Sequence, residues 1–372
     1  MVITRRAFKI SRSIIAWLPN EVLFFIIAYA AHPELLSLCL TSRLMREIST
    51  RFLYRGVHLN TKKTLKRFLR VDRWCTSPPA LSHVQKFFVK QDLKLAEAHV
   101  TQITRVVLLM TSLKHLLLYL AEPIEFHQLL QDGVFPNLVT FRCIVQPNTA
   151  SAFMGFLHRH PTINNLTFAS EESIQFPRRA DSTYLKIYEG PNWGLSLFDV
   201  SGLTSVSLMW YSDGVDIDCC LSQLTEAKDL ECIVILTSTT TPTEAEILAG
   251  ISRHAPHVKV LRFRSLVAKQ VGLSLEQAVE IQGHLHKFSA LSTIELPAVD
   301  YNTEFRLDHD MQALKLWQDA CKTISSATLN SIIWQSVNGE WYCANSGIKR
   351  LITMMKEGVL GPTFVLVPAF EF

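Results

Sequence analysis

The chain has 372 residues, which is longer than one hydrophobic core usually serves, so we expect either an elongated fold or two or more units. Its composition, 48% hydrophobic and 19% charged, excludes an intrinsically disordered protein. A net charge of +4 is too small to indicate a nucleic-acid-binding protein by itself.

The N-terminal segment, residues 1–17, is basic. Its cations, Arg5, Arg6, Lys9 and Arg12, all precede the first acid, Glu21. This pattern is partly that of a targeting peptide, but the apolar run over 22–31 is shorter than the roughly 20 residues that span a bilayer. The sequence His32-Pro33-Glu34 follows it in place of a small-residue cleavage site. We therefore expect residues 1–17 to be a disordered basic leader, and no membrane partner.

Residues 18–54 have the pattern of two or three helices. Pro19 suits the first turn of a helix, and Glu21 is placed near its positive end. Two apolar stripes at helical spacing follow. The first is Leu23, Ile26, Ile27 and Ala30; the second is Leu35, Leu36, Cys39, Leu40, Leu44 and Ile48. A third short helix is predicted over Ser49–Tyr54. Val22, Phe24 and Phe25 add apolar surface, which requires a partner in this chain or another.

These residues resemble an F-box. The similarity runs without gaps through Leu18-Pro19-Asn20-Glu21-Val22-Leu23, Ile26-Ile27, Pro33-Glu34-Leu35-Leu36-Ser37-Leu38 and Thr41-Ser42-Arg43. The tail Phe52–Leu59 is similar to that of many fungal F-box proteins. Met45 stands where many F-boxes have Trp, and Ala30 where Leu is usual.

The resemblance implies an F-box over residues 18–59 that docks on the Skp-type adaptor of a cullin–RING ubiquitin ligase. By position, the residues it assigns to this unit, as adaptor contacts or as its core, are Leu18, Pro19, Glu21, Val22, Leu35, Leu36 and Leu38. Plain core packing is the alternative for each leucine.

Residues 60–82 are expected to form a connecting helix or linker. Basic residues recur there at helical spacing: Lys62, Lys63, Lys66, Arg67 and Arg70. We interpret them as a solvated helix face and expect no nucleic-acid partner.

From residue 83 onward, short apolar strands recur about every 31 residues. They are VQKFFV (from 84), LKHLLL (113), LVTFRC (138), INNLTF (163), LTSVSL (203), LECIVI (230), VKVLRF (258), LSTIEL (291) and LNSIIW (329). Helical patterns precede several of them, two beginning with capping boxes, Thr243-x-x-Glu246 and Ser274-x-x-Gln277. Repeated helix–turn–strand units predict a parallel sheet.

These repeats resemble leucine-rich repeats, a common partner of the F-box. The resemblance implies an α/β fold in which residues 83–372 form an irregular solenoid of parallel strands with helices on the outer face. The family's Asn or Cys after each strand is missing, so we expect irregular curvature. The gap over 171–202 is interpreted as a loop insertion, which in such scaffolds often carries binding.

Patterns for catalysis and cofactors are weak. No nucleotide-binding, zinc-protease or serine-hydrolase motif occurs. His158-x-His160 and His284-x-His286 have too few companion ligands for a metal site and suit helix C-termini. Asp213, Asp216 and Asp218 lack the later ligands of a calcium loop, and Asp218 is expected to cap a helix. The eight cysteines suggest reduced thiols and a cytoplasmic or nuclear protein.

Aromatic residues supply the candidates for target binding. Trp210-Tyr211 closes a predicted strand, and Trp193 falls in the predicted insertion. Large aromatic side chains at such places can anchor a partner, although core packing would also explain them.

Taken together, the sequence predicts a non-enzymatic substrate-recognition subunit of a Skp–cullin–F-box ubiquitin ligase, without cofactor or metal. Its partners would be a Skp-type adaptor, through it a cullin, and an unidentified target protein. Two alternatives stay open. One is an interaction scaffold in which the F-box-like helices only cap the repeats; the other is an enzyme that uses Cys and His.

Overall fold

The computed structural model describes residues 18–69, 81–89, 97–118, 126–170, 174, 176, 185–210, 216–237, 242–265, 274–296, 305–330, 332–344 and 363–364. The expected leader therefore lies outside the described residues. The chain forms two compact units, Met1–Ile144 and Val145–Phe372, which are described one after the other.

From residue 18 onward, the described part of the first unit has three successive helices, followed by alternating strands and helices. In chain order its elements are α1 (Asn20–Ala28), α2 (His32–Cys39), α3 (Arg43–Leu53), β1 (Gly56–Leu59), α4 (Lys62–Leu69), β2 (Lys86–Val89), α5 (Glu97–Val107), β3 (His115–Leu118), α6 (His127–Asp132) and β4 (Thr140–Ile144). The separate third helix predicted over Ser49–Tyr54 is wrong, because its residues up to Leu53 continue α3.

Side-chain caps explain where α2 and α3 begin. The backbone N–H of Ala31 donates to Glu34 Oε2 at 2.7 Å, and that of Met45 donates to Ser42 Oγ at 3.2 Å. Each bond satisfies a donor that a helix start would leave without an intrahelical partner. Arg46 Nε then donates to the carbonyl of Cys39 at 3.1 Å, which joins the end of α2 to α3.

Strands β1 to β4 pair in parallel, in chain order. The carbonyl of Arg55 accepts the N–H groups of Gln85 and Lys86 at 2.9 and 3.0 Å, and the carbonyl of Gln85 accepts those of Lys114 and His115 in the same way. The F-box-like segment 18–59 thus contributes β1, the first strand of this sheet.

Burial alternates along these strands, so the sheet has a covered face and an open face. Phe87 and Val89 are buried, and the Phe87 ring packs on Phe68 of α4 with centroids 5.8 Å apart. We call the opposite side the open face of the first unit; its residues are Gly56, His58, Lys86, Phe88, His115, Leu117, Thr140 and Arg142.

The second unit continues the helix–strand alternation. Its elements are α7 (Ala150–Arg159), β5 (Asn165–Ala169), β6 (Ile187–Pro191), β7 (Ser205–Trp210), α8 (Ile217–Leu221), β8 (Cys232–Thr237), α9 (Glu244–His254), β9 (Val260–Ser265), α10 (Leu275–Leu285), β10 (Thr293–Glu295), β11 (Phe305–Arg306), α11 (Leu307–Ala320), β12 (Ser326–Leu329), β13 (Ile332–Val337), β14 (Glu340–Cys343) and β15 (Thr363–Phe364). The described residues of this unit also form 3₁₀ helices at Pro147–Thr149, Asn192–Leu197 and Ser222–Glu226.

Strands β5 to β10 and β12 pair in parallel, whereas β12, β13 and β14 pair antiparallel. A separate antiparallel pair joins β11 and β15. The predicted α/β class with mostly parallel strands is therefore confirmed. Both predicted capping boxes are also present, at Thr243 and Ser274.

Two predictions for this unit are wrong. The segment 171–202 is not only a loop, since it contains β6 and the 3₁₀ helix Asn192–Leu197. The segment LNSIIW is not one strand, because Leu329 ends β12 and Ile332 begins β13. Asn330 lies between them with a φ of 48°, a left-handed conformation that Asn tolerates at turns.

Candidate functional site

The helices α1 to α3 enclose a small core of their own. Its buried members are Leu23, Ile27, Leu35, Met45 and Ile48, with Leu18, Ala30, Leu38, Phe52 and Leu53 packed around them. All of them come from residues 18–53. Met45 is 6% exposed, so a methionine fills this core where many F-boxes have tryptophan.

The residues predicted to bind an adaptor are distributed between this core and the surface. Leu35 is buried and contributes to the core, which is the core-packing alternative for this leucine. Leu18 and Leu38 are half-buried against the core. The exposed members are Pro19, Glu21, Val22 and Leu36.

Helix α1 has a second apolar side that faces away from the core. Val22, Phe25, Ile26 and Tyr29 occupy positions i, i+3, i+4 and i+7, which lie on one helix face. Their side chains are 38%, 67%, 56% and 91% exposed. We call these four residues the outer apolar stripe.

The sequence prediction found only part of this stripe. It named Val22 and Phe25 as extra apolar surface, but it placed Ile26 in the first apolar stripe with Leu23 and Ile27 and did not consider Tyr29. Phe24, also predicted as extra surface, packs against Phe52 with ring centroids 4.6 Å apart. Helical spacing counted from Val22, rather than from Leu23, would have identified the stripe.

The outer apolar stripe is chemically suited to bury itself against another protein. Contiguous exposed apolar surface is uncommon on a soluble unit unless it is an interaction site. Leu36 and Leu40, on and next to α2, are 51% and 83% exposed and enlarge the apolar surface of the three helices.

The aromatic candidates for target binding that the structure describes are buried or half-buried. Trp210 is fully buried, so its side chain packs in the interior and does not present itself to a partner. Trp193 is half-buried, with its ring centroid 6.0 Å from Phe168 and 5.9 Å from Phe176. Tyr211 lies outside the described residues.

The first of the two histidine pairs is hydrogen-bonded to the backbone. His158 Nδ1 donates to the carbonyl of Met154 at 2.8 Å, and His160 Nδ1 donates to that of Phe156 at 2.6 Å. Burial, more than any other cause, lowers the pKa of His160. Within the described part of the chain, no three His, Cys, Asp or Glu side chains gather as a metal site would require.

Asp218 does not cap α8 as predicted. Asp216 does, because its carboxylate accepts the N–H of Cys219 at 3.1 Å. Asp218 Oδ1 instead accepts hydrogen bonds from Arg253 Nη2 at 2.6 Å and from His254 Nε2 at 3.2 Å. The bond from Arg253 is the main reason that the pKa of Asp218 lies below its usual value.

Burial disfavours the thiolate form of two described cysteines. Burial raises the pKa of Cys143 far above its usual value and that of Cys220 to about 11. A nucleophilic cysteine requires the opposite shift, toward a stable thiolate.

Comparison of the sequence with models of known protein families finds no match, and comparison with curated proteins finds none. Among the described helices, none is both long and apolar enough to cross a membrane. The functional assignment consequently depends on the geometry above.

Proposed function

We propose that the protein is a substrate-recognition subunit of a Skp–cullin–F-box ubiquitin ligase, acting in the cytoplasm or nucleus. In this proposal α1 to α3 are an F-box that docks on a Skp-type adaptor. The strands and helices that follow are leucine-rich-repeat-like and hold the target protein.

The observation that carries the proposal is the outer apolar stripe. A helix that only capped a repeat would direct its apolar side chains inward, whereas Phe25, Ile26 and Tyr29 are mostly exposed. Among the described residues, the core of α1 to α3 is formed by residues 18–53 alone, without a side chain from the sheet.

Such a receptor contributes no chemistry. It would hold the target close to a ubiquitin-charged conjugating enzyme, which raises the effective concentration of the target's lysines. The open face of the first unit provides a surface for that purpose.

A co-expression pull-down with a Skp-type adaptor tests the proposal through Ile26→Glu. Ile26 is 56% exposed, so a glutamate there leaves the helical core intact but places a charge within the apolar interface. We expect the adaptor affinity to fall about thirty-fold, the effect of losing about 2 kcal/mol at an interface centre.

The matched control is Val279→Glu. Val279 lies on α10 of the second unit and is 51% exposed, so the substitution has the same chemistry on a helix outside the F-box-like segment. Circular dichroism confirms that both variants are folded. If the folded native chain captures no adaptor, the ubiquitin proposal is wrong and the capping alternative replaces it.

A further inference from the structure

The strands of the first unit and the residues that lead into them contain no acid. The stretches 54–69, 81–89, 113–118 and 138–144 have no Asp or Glu, although each contains Lys, Arg or His. The cations that these stretches place at or near the start of the strands are Arg55, Lys86 and Lys114, and His115 lies next to Lys114.

Strand register brings these residues together. Lys86 and His115 are Cα partners on β2 and β3, and both belong to the open face. Arg55 and Lys114 immediately precede β1 and β3 at the same edge. The pKa of His115 is lowered, chiefly by burial. The nearby positive charges of Lys86, Lys114 and Arg55 lower it further.

Two of the corresponding cations of the second unit are paired with a carboxylate. Lys259, which precedes β9 by one residue, pairs with Glu231 at 2.6 Å, and Arg262 on β9 pairs with Glu295 at 2.9 Å. Within the described ranges, no carboxylate lies within 4.0 Å of Arg55, Lys86 or Lys114. The Arg55 guanidinium donates to the neutral amide of Gln85 at 3.1 Å.

An apolar row lies beside this charge. Phe88 and Leu117 are Cα partners on β2 and β3, two residues beyond Lys86 and His115. Both are half-buried on the open face. His58 covers one side of Phe88, with ring centroids 5.9 Å apart. Positive charge and apolar surface are thus offered together by neighbouring strands.

We infer that this surface, the basic row of Arg55, Lys86 and Lys114 with Phe88 and Leu117 beside it, binds an acidic peptide segment of the target protein. Carboxylates of the segment would pair with the cations, and an apolar side chain would cover Phe88 and Leu117. Naming the segment's owner as a ubiquitination target depends on the proposed function, whereas the peptide binding itself does not involve the adaptor.

The width of the basic row across the three strands favours a short peptide as its ligand. Neighbouring strands lie about 4.8 Å apart, so the cations of β1, β2 and β3 extend over about 10 Å, which an extended peptide covers with about three residues. Single-stranded nucleic acid would instead use exposed ring faces on which bases stack. Here Phe88 is half-buried and Leu117 is aliphatic.

Fluorescence polarisation with the full chain and no adaptor tests the inference. The probe is a short labelled peptide in which Glu and Leu alternate, and its control has Gln in place of each Glu. We expect the double substitution Lys86→Glu with Lys114→Glu to weaken binding of the Glu peptide about tenfold or more, because two attractions become repulsions. Added salt weakens native binding as well.

The matched control is Lys62→Glu with Lys66→Glu. Both lysines are exposed on α4, so the same change in net charge is made on a helix of the same unit. We expect this variant to bind like the native chain. Equal loss in both variants would mean that only the overall field of the unit attracts the peptide, and would overturn the inference.

Three other results would overturn it. The first is equal binding of the Gln peptide, and the second is no charge-dependent binding at about 1 mM peptide. The third is tighter binding of a single-stranded oligonucleotide of equal charge, which would identify a nucleic-acid surface. The peptide measurement contains no adaptor, so the two experiments are independent. A pull-down that captures no adaptor would not contradict peptide binding, and absence of peptide binding would not contradict adaptor binding.

Discussion

Gly194 lies in the 3₁₀ helix Asn192–Leu197, in a space that no larger side chain fits. A Cβ there would overlap the hydroxyl oxygen of Tyr188 and lie 2.8 Å from Cζ of Phe168. Tyr188 is fully buried, and its hydroxyl donates to the carbonyl of Pro191 at 2.8 Å, so moving the ring would break a buried hydrogen bond. We expect Gly194→Ala to lower the free energy of unfolding by about 2 kcal/mol, measured by urea denaturation.

Gly283→Ala is the matched control for that substitution. Gly283 lies within α10, and a Cβ added there would meet no atom within 4 Å. Alanine loses less backbone entropy than glycine in a helix, so this variant should be more stable by about 0.5–1 kcal/mol. Similar effects of the two substitutions would mean that close packing around Gly194 is not what requires glycine.

At the scale of elements, α10 owes its first turn to a capping box. The N–H of Gln277 donates to Ser274 Oγ at 3.1 Å, and the N–H of Ser274 donates to Gln277 Oε1 at 3.0 Å. Ser274→Ala should cost about 1 kcal/mol, seen as faster hydrogen exchange of the α10 amides, and Ser274→Asp should restore the native rate because aspartate also caps. Equal exchange in the alanine variant and the native chain would contradict this role.

Elements with a complete local pattern could be predicted from the sequence. The capping boxes at Thr243 and Ser274 have both partners within four residues, and strands such as β8 alternate regularly between buried and half-buried side chains. Strand β6 was missed because its alternation ends in Gly190-Pro191, which are buried for reasons of tertiary packing. Local pattern does not report that packing.

The candidate surfaces illustrate a second limit. The stripe on α1 repeats at helical spacing, so the sequence contains it, but α1 is apolar on two sides and the pattern does not say which side faces the core. The basic row required the register of β1, β2 and β3, since Arg55, Lys86 and Lys114 are about 30 residues apart in sequence. For Trp210 the sequence left core packing and target binding both open, because a position at a strand end does not determine burial.

At the scale of the whole molecule, the histidines couple stability to pH. Burial is the largest cause of a lowered pKa for His83 and His115 in the first unit, and for His160 and His284 in the second. Each therefore prefers its neutral form in the folded chain. Asp218, whose pKa is lowered from a model-peptide value of 3.8, affects stability only at more acidic pH.

The sign of the pH effect follows from proton binding. Above the unfolded-state histidine pKa of about 6.5 both states are neutral and stability is complete; as pH falls through that value the unfolded chain takes up protons that the folded chain does not. We expect the urea concentration at the unfolding midpoint to decrease as the pH is lowered from about 7.5 to about 5.5, with spectroscopic probes placed in either unit. His160→Gln should make this decrease smaller for probes in the second unit only. A midpoint that stays constant or rises over this interval would show that these histidines are not held neutral by the fold.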